Sequence, residues 1–159
     1  MGAHSLMAAP VAGDVAGDAP VSFGEVAVHG GSLPVAVAGV GTPLILLHGW
    51  TLDHRMWQPQ VAGLAGDFRL VMPDRRGCGR ASASPDLARE ADDVLAIADA
   101  FGLAAFALCG LSQGAVAALD VARRFPERVS ALVVAGGPLP ALAPREEVID
   151  LVALRALAA

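Results

Sequence analysis

The run Phe106-Ala-Leu-Cys-Gly-Leu-Ser-Gln-Gly-Ala115 constrains this chain more than any other stretch. An apolar strand enters a Gly-x-Ser-x-Gly turn, and an Ala-rich helical run leaves it and stops at Pro126. A strand that reverses so sharply into a helix forces its central residue, Ser112, into strained backbone angles. It leaves no room for side chains on either flank, which Gly110 and Gly114 accommodate. The pattern is that of a nucleophile elbow. It lifts the Ser112 hydroxyl clear of a sheet and aims the N–H of Gln113, at a helix N-terminus, towards the place where an attacked carbonyl would gain negative charge. The five-residue pattern is weak by itself in a chain with 18 glycines, and the strand–turn–helix context makes it specific.

Upstream, Pro43-Leu-Ile-Leu-Leu47 is wholly apolar, as expected of a central parallel strand buried on both faces. It ends in His48-Gly49-Trp50. Gly49 permits close backbone approach, and the N–H of Trp50 is the candidate second donor to the same developing oxyanion. The His48 side chain reads better as a partner of backbone groups than as a reactive imidazole. A third stretch, Arg69-Leu-Val-Met-Pro-Asp-Arg-Arg-Gly-Cys-Gly-Arg80, reads as a strand and a charged, glycine-rich loop. Its spacing fits neither dinucleotide nor P-loop fingerprints. We expect Asp74 to pair with Arg75 or Arg76 and so fix that loop.

Taken together, these elements resemble the N-terminal half of an α/β-hydrolase-fold protein of the broad esterase, lactonase and perhydrolase type. The resemblance rests on His48-Gly49-Trp50, the Asp74-to-Gly79 loop, Ala91-Asp-Asp-Val-Leu95, the elbow Gly110 to Gly114, and Phe125-Pro-Glu-Arg-Val129, and runs from about residue 21 to about residue 140. It implies cofactor-free and metal-free nucleophilic catalysis by Ser112, with the backbone amides of Trp50 and Gln113 as oxyanion donors and Gly49, Gly110 and Gly114 as the glycines that make room. The implied partner is a small-molecule ester or lactone. Serine at the elbow disfavours the related dehalogenases and epoxide hydrolases, which use aspartate.

One feature departs from the family. Its triad runs Ser, Asp or Glu, then His, yet His4, His29, His48 and His54 all precede Ser112. The triad base is therefore expected to be missing from the chain. The acid stays unassigned, because Glu146, Glu147 and Asp150 fall in what reads as a separate helix. At 159 residues the chain accounts for only about six strands of a fold that usually exceeds roughly 200 residues. The expectation is a chain truncated before the last strands, prone to self-association through an uncovered sheet edge. The rival reading is a non-catalytic hydrolase-like fragment or binding chain.

The remaining segments fit a mostly parallel central sheet with helices on both faces. Residues 1–20 read as a disordered leader, 21–140 as a partial hydrolase core, and 141–159 as the start of a cap helix. Strands are expected at Val21 to His29, Leu33 to Ala38 and Val129 to Ala135. Helices are expected around Trp57, Val61 and Leu64, and from a Ser84-Pro85 start through Leu87, Ala91, Val94, Leu95 and Ala98. A net charge of −5 without a basic run argues against nucleic acid or an anionic membrane surface as partner. No apolar run approaches the 18 or so residues of a membrane span. Two cysteines without metal-ligand spacing suggest a reduced, cytoplasmic setting.

Overall fold

The computed structural model describes residues 19–137. The leader up to residue 18 and the cap helix expected over 141–159 lie outside the described residues. Six strands, β1 (Val21–Val28), β2 (Gly31–Ala38), β3 (Thr42–Leu47), β4 (Phe68–Pro73), β5 (Phe106–Leu111) and β6 (Val129–Ala135), form one sheet. Three α-helices join them: α1 (Gln58–Leu64), α2 (Glu90–Ala100) and α3 (Gln113–Arg124). All six strands fall where the apolar runs place them.

The sheet order is β1-β2-β4-β3-β5-β6. β1 and β2 form an antiparallel hairpin, β2 joins β4 antiparallel, and β4, β3, β5 and β6 are mutually parallel neighbours. The period of two along β3 sorts its residues onto two cores. Ile45 and Leu47 face the side covered by α2 and α3, with Val35, Val71, Phe106 and Leu108. Leu44 and Leu46 face the side covered by α1, with Leu70, Met72, Trp57 and Val61. A strand buried on both faces must be apolar at every position, which is why 43–47 carries no polar residue.

The chain leaves β3 to one side, forming β4, and returns to the other side of β3 with β5. The carboxyl ends of β3 and β5 therefore lie side by side at a topological switch point, where open α/β sheets place their sites. His48-Gly49-Trp50 and Ser112-Gln113 emerge there together.

Two local expectations are corrected. The turn before α2 is capped by Asp86, whose carboxylate accepts the Ala88 N–H at 3.1 Å, rather than by Ser84. Leu87 is 62% exposed in a short 3-10 turn and does not belong to the buried stripe, because the α-helical period begins only at Glu90.

Candidate active site

Ser112 sits between β5 and α3 with φ 52° and ψ −115°, a conformation that L-residues rarely adopt. Thr51, three residues beyond His48, is the other non-glycine described residue with positive φ, at 57°. The strain of the described backbone thus gathers where the two loops meet. A Cβ on Gly110 would lie 2.3 Å from the carbonyl oxygen of Gly114, and one on Gly114 would lie 2.3 Å from that of Leu47 and 2.5 Å from that of His48. Both elbow glycines are sterically obligatory: the first lets the helix fold back on the strand, and the second lets it rest on the end of β3. The backbone N–H of Ser112 donates to the carbonyl of Ala135 at 2.8 Å, pinning the elbow to the end of β6.

Gly49 lies against the elbow, since a Cβ there would come 3.6 Å from both the Ser112 Cβ and the Leu111 carbonyl oxygen. The Trp50 indole is 63% exposed, so the loop does not serve to bury it. Among the described residues, neither the Trp50 N–H nor the Gln113 N–H has a hydrogen-bond partner. The Ser112 hydroxyl likewise has none among them.

His48 is fully buried, and its imidazole bonds only backbone groups. Its Nε2 accepts the Arg75 backbone N–H at 2.9 Å, which leaves Nδ1 to donate to the Gly49 carbonyl at 2.8 Å. Burial lowers its pKa, the Gly49 bond opposes that shift and the Arg75 charge reinforces it, so the ring is held neutral.

The Asp74 expectation is overturned. Its carboxylate pairs with neither neighbouring arginine; it accepts the His54 N–H at 3.0 Å, the His54 ring Nδ1 at 2.6 Å and the Arg80 N–H at 2.9 Å. The arginines reach α2 instead. Arg75 is clamped by Glu90 through Nη2 at 2.6 Å to both oxygens, and Arg76 by Asp93 at 2.6 and 2.7 Å. Burial pushes the Glu90 carboxyl up while Arg75 pulls it down. Asp74 thus turns towards the loop after β3, while both guanidiniums reach carboxylates of α2.

Asp53, His54 and Asp74 bring ligand atoms within 4.8 Å of one another, a grouping not singled out from sequence. Their atoms are committed to the protein: the Asp53 carboxylate binds the Arg55 guanidinium, and Asp74 is filled as described. His54 also packs edge-on against Phe23 of β1, with ring centroids 5.6 Å apart. β1 stands four strand pairings from β5, at about 4.8 Å each, and the Nδ1 of this ring is taken by Asp74. His29 lies exposed in the β1–β2 turn. Among the described histidines, His48 abuts the elbow through its backbone carbonyl while its ring is bonded to Arg75 and Gly49, and the carboxylates at 146, 147 and 150 lie outside the described residues.

Residues 42–156 match the sequence model of the alpha/beta hydrolase fold family. The chain belongs to that family. This chain is 38% identical over 111 residues to a Rhizobium rhizogenes protein provisionally named carbamate hydrolase RutD, covering 67% of this chain and 40% of that one. It is 35% identical to the pimeloyl-acyl-carrier-protein methyl ester esterase of Nitrosomonas europaea, over 65% of this chain and 40% of the relative. Among solved structures it is similar to a hydrolase from Pseudomonas aeruginosa, with a TM-score of 0.70 and 30% identity over 72% of this chain and 46% of the other. The chain thus spans less than half the length of these relatives.

Proposed function

We propose that Ser112 is the nucleophile of a carboxylic ester or lactone hydrolase. The observation that carries this reading is the strained Ser112 backbone between two obligatory glycines, with Gly49 packed against it. Ser112 Oγ attacks the substrate carbonyl carbon and its proton passes to a base. The carbonyl oxygen becomes an oxyanion facing the N–H groups of Trp50 and Gln113, which have no partner among the described residues. Collapse of this intermediate expels the alcohol, which takes up the proton, and water then releases the acid from the acyl-serine. Support for an ester or lactone comes from the esterase above and from 42% identity over 69 residues to 3-oxoadipate enol-lactonase 1 of Acinetobacter baylyi, across 42% of this chain and 26% of that one. Both cysteines are free thiols, in keeping with a reducing, cytoplasmic setting. No helix among the described residues is long and apolar enough to cross a membrane.

The test is phosphonylation of the 159-residue chain by a fluorophosphonate, read by intact mass and peptide mapping, with and without free imidazole as an external base. A single adduct on Ser112, absent from Ser112→Ala, supports the reading. Absence of that adduct under both conditions overturns it in favour of a non-catalytic binding chain.

A further inference from the structure

Arg75 bonds both to the loop after β3 and to the residue that follows Ser112. Its Nη1 donates to the His48 carbonyl at 2.8 Å, at the start of the loop that carries Trp50. Its Nη2 donates to the Gln113 side-chain Oε1 at 3.2 Å, on the residue whose N–H is the other donor. Glu90 holds the same nitrogen through both carboxylate oxygens, and the guanidinium is 4% exposed, so the fork cannot swing away. Its main chain acts in the same place. The Arg75 N–H sets the His48 tautomer, and His48 Nδ1–H holds the Gly49 carbonyl. That carbonyl shares a planar trans peptide with the Trp50 N–H, so fixing the oxygen fixes the opposite direction of the donor.

We infer that Arg75 is a positioning residue that sets the relative geometry of the two oxyanion donors, joining the Trp50 loop to Gln113 through one buried, Glu90-clamped guanidinium. The inference rests on the function proposed above. It assigns Arg75 no contact with substrate. Lysine cannot replace it, because a single ammonium lacks the planar fork that reaches the His48 carbonyl, Glu90 and Gln113 together. No sequence signal marks the cluster: Arg75, Glu90 and Gln113 share no spacing that identifies them as partners.

Arg75→Met alone would strand a buried Glu90, so the informative variant is Arg75→Met with Glu90→Leu, which removes both charges and keeps the volume. Phosphonylation of Ser112 is measured against probe concentration, beside urea unfolding of the same samples. The wild-type adduct at Ser112 tests the function; the variants test Arg75. The expected result is a maximal rate lower by about ten- to a hundredfold, the scale of misplacing a donor by an ångström, with the half-saturating concentration and unfolding midpoint little changed. Gln113→Met cuts one arm without touching a charge and should give a smaller fall in the same parameter. Should the double variant fail to fold, Gln113→Met decides alone. A wild-type adduct with unchanged maximal rates in the folded variants overturns the inference and leaves Ser112 standing; no wild-type adduct overturns both.

Discussion

The Nδ1 of His54 lies 2.6 Å from Oδ1 of Asp74, and the same carboxylate oxygen accepts the His54 backbone N–H at 3.0 Å. Its other oxygen accepts the Arg80 N–H, so a single buried carboxylate staples the loop after β3 to the loop after β4. Phe23 closes the cluster from β1, edge-on to His54 and beneath the Arg80 guanidinium at 5.6 Å.

Burial by itself would raise the Asp74 pKa, but the His54 and Arg80 N–H bonds and the His54 ring outweigh it, and the net shift is downward from 3.8. A carboxylate with a depressed folded pKa stabilises the fold above its ordinary value, and that stability is lost as pH falls through the lower folded value. Thermal unfolding midpoints should therefore drop on the acid side of about pH 4, and Asp74→Asn should show a lower plateau near neutrality with a shallower acid limb. Parallel acid limbs in the two proteins would remove Asp74 as the titrating staple.

Gly114→Ala should be severely destabilising, because its Cβ would sit 2.3 Å from a backbone oxygen that cannot move without shifting β3. A loss above about 3 kcal/mol in urea unfolding is expected. Gly63→Ala is the contrast: it lies in α1 with open space around the added methyl, and should gain up to about 1 kcal/mol. Equal effects at the two sites would contradict the elbow sterics.

At Gly49 an added Cβ meets nothing closer than 3.5 Å, so the fold tolerates it, yet it stands 3.6 Å from the Ser112 Cβ, over the nucleophile. Gly49→Val, whose γ-methyls extend beyond that Cβ, should slow Ser112 acylation on the order of a hundredfold, the size of losing one oxyanion donor, with any change in stability read separately by urea unfolding. Trp50→Phe should retain most of the rate, since the indole is exposed and the N–H is untouched. Stopped-flow acylation by an activated ester reads both; a larger loss at Trp50 than at Gly49 would assign the contribution to the indole.

The Arg76–Asp93 pair is buried on both sides, and Asp93→Ala strands the guanidinium. Urea unfolding should show a loss of about 3–5 kcal/mol, largely recovered in Arg76→Leu with Asp93→Leu. Additive single and double losses would mean the pair is not coupled.

The apolar run 43–47, the strand at 129–135 and the elbow from Gly110 to Gly114 are all legible in the amino-acid sequence, because each depends on neighbours within a few residues: periodicity, turn chemistry and local sterics. Membership of the α/β hydrolases follows from those local signals in their order. The insertion of β4 between β2 and β3, which sets the Gly49 loop beside Ser112, is decided by packing of the whole sheet. So are the partners of the charges. Asp74 lies next to two arginines in sequence and binds a histidine 20 residues away, while Arg75 and Arg76 cross to Glu90 and Asp93. A buried charge must find its counter-ion wherever the fold brings one, and a neighbour in sequence need not be that counter-ion.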